Sequence, residues 1–394
     1  MRRSGNRTNL VVVLILSFIF LVFPCCGEGN TYAEESEYTL KIHFIDVGQG
    51  DCSFIELPDG KTMLIDAGTE SNGKKVVKYI KKLGYKKIDY LIASHADGDH
   101  VGGLAKVIES LDVAVIYRPF VLSTNTKIKG FSDELIDLFG SDSKNYTIDD
   151  GYDYANFLNE AYNESVGDES AEIRISSDKE IILSEDSANP YMIKFFMPKA
   201  VAEFSTERIK KGYTTQKEND DNDCSSVVEI ITDKNKYLFM GDLTAEKEIE
   251  MISALSVGDR ALISGISVLK VGHHGSNTSS CPEFLSEISP AHAILSFGAG
   301  NEYGHPHHAV ISSLEDIGSK VYKTGELGTI IVLERNSILY FENIPTESFV
   351  SKYDYIFYIL IALVVIGIIL TIYLYPKFKK KNKENKKDTN TLKI

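Results

Sequence analysis

The sequence predicts an α/β fold in which two sheets pack face to face with helices on their outer sides. Three observations lead there. Hydrophobic residues make up 43% of the 394 and charged residues 25%, as in an ordinary globular protein. Strand-length apolar segments come first, with helical segments interleaved, and this order occurs twice along the chain. Four clusters rich in His, Asp or both each follow an apolar strand, so they should converge on one edge of the sheets.

Residues 38–46 (YTLKIHFID) alternate apolar and polar side chains and read as a strand. Residues 52–57 and 63–66 are two more, split by the turn Pro58-Asp59-Gly60. Over 74–83, Val76, Val77, Ile80 and Leu83 fall on one face, the spacing of an amphipathic helix. A buried strand is expected at 88–93, a helix at 101–108 and a strand at 113–117. Residues 120–185 are polar and acidic and read as an insertion with one or two short helices, the better one at 132–138. Strands resume at 192–197, 226–231 and 237–240, and a second alternation of helices and strands runs to residue 341.

Two apolar segments frame this body. Residues 10–23 follow the basic start MRRSGNR, and fourteen apolar positions there have the size of a signal-peptide core, with cleavage expected after Ala33. Residues 355–375 carry no charge, have tyrosines at both ends and would reach about 31 Å as a helix, enough to cross a bilayer. The segment 376–394 holds eight Lys against Glu384 and Asp388. A basic flank of this kind is expected on the cytoplasmic side. The expected order is therefore signal peptide (1–33), body (38–343), linker (344–354), transmembrane helix (355–375) and basic cytoplasmic tail. The protein would be single-pass in the cell membrane with its body extracellular. Net charge is −14, and because both ends are basic the body carries more than the whole of that excess. Such a surface repels polyanions at long range and argues against a non-specific nucleic-acid binder. Cys52, Cys224 and Cys281 are expected to be small buried residues rather than a disulfide framework.

The stretch SHADGDHVGG (94–103) places two of the nine histidines beside two aspartates. His95 and Asp97, two apart on an extended loop, point the same way and can share a cation; Asp99 and His100, at the start of the next helix, can reach a second. Gly102 and Gly103 let that helix approach the sheet closely. Asp242 ends the apolar strand LFMGD and is either a turn cap or a carboxylate bridging two metals. His273 and His274 follow the apolar strand at 268–271, and two adjacent imidazoles at a buried strand end must both find partners, which favours ligands. NEYGHPHH (301–308) is a turn opening a helix. His43 and His292 lie inside strands and are expected to be structural, while His307 and His308 can face solvent.

With FIDVGQGD (44–51), MLIDAG (63–68), NDCSSVV (222–228) and NEYGHPH (301–307), these residues resemble the metallo-β-lactamase superfamily. The likeness is greatest to the hydrolase domain of the ComEC DNA-uptake proteins and their stand-alone relatives, over about residues 38–343. Surface phosphorylcholine esterases acting on teichoic acid are similar too, less so in the last motif. The resemblance implies a four-layer αββα sandwich and two divalent metal ions, Zn or Mn. It assigns His95 and Asp97 to the first ion, Asp99, His100 and His273 to the second, and Asp242 to both. Asp66 would be structural, orienting the ligand loop. His274 and His305, with Asp99, are the catalytic candidates, the histidines donating a proton to the leaving oxygen or holding phosphoryl oxygens. Asn301, Tyr303 and Asn222 are the substrate-binding candidates. Two departures matter: Asp97 stands where the superfamily usually has His, and no His ligand stands near Asn222. Oxygen ligands are harder than imidazole and shift preference from zinc toward manganese. The expected activity is phosphodiester hydrolysis of DNA or a wall polymer. A teichoic-acid esterase and a non-catalytic surface binding module are the alternatives, and no protein partner is indicated.

Overall fold

The computed structural model describes residues 38–119, 121, 151–167, 170–178, 180–184, 188–196, 222–345 and 376. The expected signal peptide, the membrane segment at 355–375, the basic tail beyond 376 and the helix at 132–138 lie outside the described residues. No helix among the described residues is long and apolar enough to cross a membrane.

The first sheet starts as an antiparallel meander of β1 (Leu40–Phe44), β2 (Ser53–Glu56) and β3 (Thr62–Ile65). Helix α1 (Gly73–Lys82) then crosses to β4 (Lys87–Ile92), parallel to β3. Short helices α2 (Gly98–Val101) and α3 (Leu104–Ile108) cross to β5 (Asp112–Arg118), and α4 (Gly151–Ser165) precedes β6 (Glu172–Ile175), which lies parallel to β5. The second sheet holds the antiparallel β7 (Ile181–Leu183), β8 (Met192–Phe196), β9 (Val227–Ile231) and β10 (Lys236–Phe239). Helices α5 (Ala245–Ala254) and α6 (Val257–Ile263) lead to β11 (Val268–Lys270), α7 (Pro282–Ile288) to β12 (His292–Leu295), and α8 (His308–Asp316) to β13 (Lys320–Lys323). From β10 to β13 the strands are parallel. After α9 (Thr324–Leu327), strands β14 (Thr329–Arg335) and β15 (Ile338–Ile344) return to the first sheet. The orders are β15-β14-β1-β2-β3-β4-β5-β6 and β13-β12-β11-β10-β9-β8-β7.

Three apolar clusters separate four layers. Alternate residues of the first sheet, Ile42, Ile55, Met63, Ile65 and Ile92, meet Ile193, Phe195, Val228, Ile230 and Phe239 of the second. The other face of the first sheet, with Phe54, Leu64, Leu91 and Val113, packs on Val76 and Ile80 of α1, Val107 of α3 and Phe157 of α4. The other face of the second sheet packs on Met251, Ile263, Phe284, Leu285 and Leu314 of the outer helices. Strands buried on both faces are what helix-flanked sheets require.

Two elements differ from expectation. The helix expected at 101–108 is split into α2 and α3 by Gly102 and Gly103. A side chain at Gly103 would collide with the Ala67 carbonyl, so the close approach needs glycine there. The polar stretch 120–185 also contains α4, whose Tyr154, Phe157, Leu158 and Ala161 are fully buried in a helical stripe, so this segment contributes to a core layer. Cys52, Cys224 and Cys281 are free thiols, the first two buried.

Phe195 is fully buried between the sheets with its ring 4.9 Å from that of Tyr117. Phe195→Ala should cost about 3–5 kcal/mol of unfolding free energy by denaturant titration. Val257→Ala, at a position 90% exposed, should stay within about 0.5 kcal/mol of the parent.

Candidate metal centre

The C-terminal ends of β3, β4, β10, β11 and β12 meet at one edge of the two sheets, where open α/β sheets collect their functional groups. Backbone hydrogen bonds lace these ends together. Ser226 N donates to Ser94 O at 2.8 Å, His273 N to Gly241 O at 3.1 Å, and Asp51 N to Asp99 O at 3.2 Å.

Asp66, just past β3, is buried and has φ 60°, a left-handed backbone that aspartate tolerates better than most residues. Its carboxylate accepts from the Ser94 amide at 2.8 Å, from the Ser94 hydroxyl at 2.7 Å and from His100 Nδ1 at 2.9 Å. A carboxylate and a carbonyl can only accept, and this assigns the imidazole protons. His100 carries one on Nδ1. Ser94 Oγ gives its only proton to Asp66, so His95 Nδ1, 3.0 Å away, must donate to it. His274 Nδ1 donates to the Ser296 carbonyl at 3.0 Å and lies 3.1 Å from Asp51 Oδ1. All three rings therefore turn Nε2 toward the same space.

That space is crowded with donors. His100 Nε2 lies 3.4 Å from His274 Nε2 and 3.2 Å from Asp242 Oδ1. His274 Nε2 lies 3.1 Å from Asp99 Oδ2 and 3.5 Å from Asp242 Oδ2. His95 Nε2 is buried without a hydrogen-bond partner, 3.6 Å from Asp97 Oδ2 and 4.0 Å from Asp242 Oδ2. The buried residues Asp51, His100, Asp242 and His274 each offer one ligand atom, and these atoms lie within 4.8 Å of one another. Lone pairs aimed at each other over such distances repel unless a cation stands among them, so these residues fit a metal ion.

Protons can take that place. Burial opposes charge on His100, but Asp242 and Asp66 outweigh it and hold the ring well above its ordinary value. His274, also buried, is pushed up to about 10 by Asp242, Asp51 and Asp99. Burial favours the neutral form of Asp242, yet His100 and His274 hold it well below the ordinary range.

The structure brings His95, Asp99, His100, Asp242 and His274 together. Asp97 stands at the mouth, its side chain 37% exposed. His273, expected among the ligands, is at the rim, with Nε2 3.8 Å from Asp242 Oδ2 and Nδ1 3.0 Å from the Thr278 hydroxyl. His274, expected in proton transfer, is the one in the buried group. Both have left-handed backbones, φ 49° and 54°, and this turn decides which ring faces inward.

His305 packs edge-on against His273, with ring centres 5.6 Å apart, and stacks on Tyr303 at 5.6 Å. Burial and the neighbouring imidazoles of His274 and His273 push it down to about 4. It is neutral at neutral pH and is no store of an acidic proton. Tyr303 is 67% exposed beside it. Asn301 commits its amide to the turn, donating to the Gly298 and His305 carbonyls and accepting from the amides of Tyr303 and His305. Asn222 is buried, with Oδ1 lacking a hydrogen-bond partner.

His43 lies away from the centre, between the Tyr79 hydroxyl and Glu56. His292 packs its ring 4.3 Å from that of Phe341. His307 accepts from the Asn277 amide at 3.0 Å. Sequence reasoning missed Asp51 and Lys270, whose Nζ lies 2.5 Å from Asp51 Oδ2. The available signal was a lysine inside the otherwise apolar strand 268–271.

Divalent metal must displace the protons on His100 and His274. Apparent affinity should therefore rise with pH through neutrality toward about 10, with proton release seen as heats that differ between buffers of unequal ionisation enthalpy. In the metal-free chain, the stability that His274 contributes is complete below its ordinary 6.5 and is lost as pH rises toward about 10. The contribution of Asp242 has the opposite sense, complete above its ordinary 3.8 and lost in acid as pH falls through its depressed value. Asp66→Asn should weaken metal binding about 10–100-fold in the same titration.

Residues 45–152 match the family model described as Metallo-beta-lactamase superfamily. ComE operon protein 3 of Bacillus subtilis is 26% identical over 349 residues, covering 83% of this chain and 36% of that protein. Recombination protein 2 of Haemophilus influenzae is 25% identical over 323 residues, covering 81% of this chain and 32% of that protein. The chain thus spans about a third of the length of these relatives. Among solved structures, the metallo-beta-lactamase fold protein YhfI from Bacillus subtilis is 10% identical with a TM-score of 0.39, over 78% of this chain and 100% of that one. The chain carries a metallo-β-lactamase domain and is related to competence proteins of the ComEC type.

Proposed function

We propose that the chain is a metal-dependent phosphodiesterase, held in the cell membrane by residues 355–375 with its body outside the cell. The observation that carries this reading is the convergence of Nε2 from His95, His100 and His274 on the Asp242 carboxylate, with His95 Nε2 left unpartnered. His95 and Asp97 would hold one ion and Asp99, His100 and His274 a second, with Asp242 shared. Divalent ions held there would polarise a phosphoryl group and supply a nucleophilic water near neutral pH. The oxygens of Asp97, Asp99 and Asp242 make the set harder than one of imidazoles alone, which favours manganese alongside zinc.

The chain's own residues supply the rest. His305, neutral at neutral pH, can hydrogen-bond a phosphoryl oxygen or accept a proton at the rim. Tyr303 stands exposed at the rim beside His305, where an incoming substrate can meet it. The relation to a recombination protein and to ComEC-type proteins supports DNA as substrate, with a wall polymer as the other phosphodiester available outside a cell. The net charge of −14 implies a weak grip on a polyanion away from the centre.

The test is hydrolysis of bis-p-nitrophenyl phosphate by the purified full chain with added manganese or zinc. Turnover should depend on the metal, and Asp99→Ala should lower kcat/KM at least about 100-fold, the loss of a few kcal/mol of transition-state stabilisation. Bound metal without turnover would overturn the phosphodiesterase reading in favour of other ester or amide substrates. Neither metal nor turnover would favour a surface binding module.

A further inference from the structure

Lys270 is a buried lysine at the end of β11, 2% exposed, inside a strand that is otherwise apolar. Its Nζ donates to the Val271 carbonyl at 2.9 Å and lies 2.5 Å from Asp51 Oδ2. Asp51 is itself 4% exposed, and its other oxygen lies 3.1 Å from His274 Nδ1. The carboxylate thus stands between an ammonium and an imidazole, almost wholly out of water. Two buried charges are a weak device for stability, because desolvation offsets most of their attraction. Their placement behind His274 suggests another purpose. His100 donates from Nδ1 to Asp66, whereas His274 donates from Nδ1 to the Ser296 carbonyl and has Asp51 Oδ1 beside that nitrogen at 3.1 Å, an oxygen with no hydrogen-bond partner of its own. A carboxylate beside the Nδ1–H edge favours the proton there and raises the donor strength of the opposite nitrogen.

We propose that Asp51 and Lys270 are positioning residues for His274. Asp51 meets the Nδ1 edge of the ring and keeps Nε2 turned into the metal centre. Lys270 holds Asp51 in the rotamer that does this and occupies the oxygen that would otherwise be free to reach a cation directly. Asp51 is thereby kept as a partner of the imidazole, although it lies close enough to the other donors to compete for metal. The backbone supports the arrangement, since the Asp51 amide donates to Asp99 O and the Asp51 carbonyl accepts from Gly68. The proposal rests on the metal-site reading above, and its test is chosen so that the two can fail separately.

The test compares the full chain with Asp51→Leu, Lys270→Met and the double variant carrying both. Leucine matches the branched shape of aspartate and methionine the stem of lysine, so the double variant removes the pair without leaving a lone buried charge. Each single variant strands one charge and should melt well below the parent, while the double variant should recover most of that loss. Zinc affinity by calorimetry should not recover, staying at least about 10-fold below the parent. With 15N-histidine labelling, the His274 Nδ1 proton resonance should move upfield in the double variant, because the carboxylate beside the Nδ1–H to Ser296 bond is gone. A double variant with parental zinc affinity and an unmoved His274 resonance would overturn the proposal and leave the pair a packing feature. If the parent itself takes up no zinc, the metal-site reading fails. The His274 resonance, read without metal, then still decides whether Asp51 positions the ring.

Discussion

The three hydrogen bonds accepted by Asp66 organise the ligand loop. Because β3 and β4 are parallel neighbours, with Ile65 opposite Ile92, the residues that follow them emerge side by side. Asp66 N bonds Ile92 O at 3.0 Å, and its left-handed backbone turns the carboxylate across the gap to Ser94 and His100. From that one group the donor directions spread: His100 directly, His95 through the Ser94 hydroxyl. The loops are also stitched by their backbones, with Ala67 N to His100 O at 2.9 Å and Gly103 N to Gly68 O at 2.9 Å. Glycine at 103 is the condition for that contact, so sequence, turn and ligand orientation form one chain of cause.

The same edge gathers charges that a fold would otherwise avoid burying. Asp51, Asp66, Asp242, His95, His274 and Lys270 are all nearly or fully buried within a few residues of strand ends, as is His100 in the short helix after β4. Without the three apolar clusters around them, so many desolvated groups would not stay together. Two consecutive non-glycine residues in left-handed conformation after β11 add local strain of about 1 kcal/mol or more each. Strain and desolvation concentrated at one sheet edge, with a well-packed sandwich on all other sides, is the distribution expected where function rather than stability sets residue choice.

Much of this was legible beforehand, for stated reasons. Periodicity finds elements whose pattern is long or clean, as in residues 74–83, and places the His and Asp clusters at strand ends. It fails where composition misleads. The acidity of 120–185 hides the stripe Tyr154, Phe157, Leu158, Ala161, although its three- and four-residue spacing is that of a helix face. The choice between His273 and His274 was not legible. Adjacent residues leave a strand on opposite faces, and only the backbone of the turn, which no side-chain pattern encodes, settles which ring is buried. The turn bonds of Asn301 were not legible for a related reason: a polar side chain in a turn reads alike whether it serves its own backbone or a ligand. Asp51 lies far from the other donors in sequence and reaches them only because β1 runs antiparallel to β2 and the loop between them passes under Asp99.

The three inward imidazoles are not equivalent, and this bears on how unevenly the centre would hold cations. His100 donates from Nδ1 to the Asp66 carboxylate and His274 to the Ser296 carbonyl with the Asp51 carboxylate 3.1 Å from the same nitrogen, whereas His95 has only the Ser94 hydroxyl behind it. A carboxylate makes the opposite nitrogen a stronger donor than a neutral hydroxyl does. His95 also shares its side of the centre with Asp97, whose partly exposed carboxylate is better solvated and gains less from ligation. Both differences act in the same direction. The donors around His100 and His274 are the more strongly polarised, while beside the buried His95 only Asp97 opens to solvent. Were two ions held there as proposed, with Asp242 between them, the one beside His95 and Asp97 would exchange more readily. Unequal affinity across such a centre would follow from the hydroxyl behind His95 as well as from the aspartate at position 97.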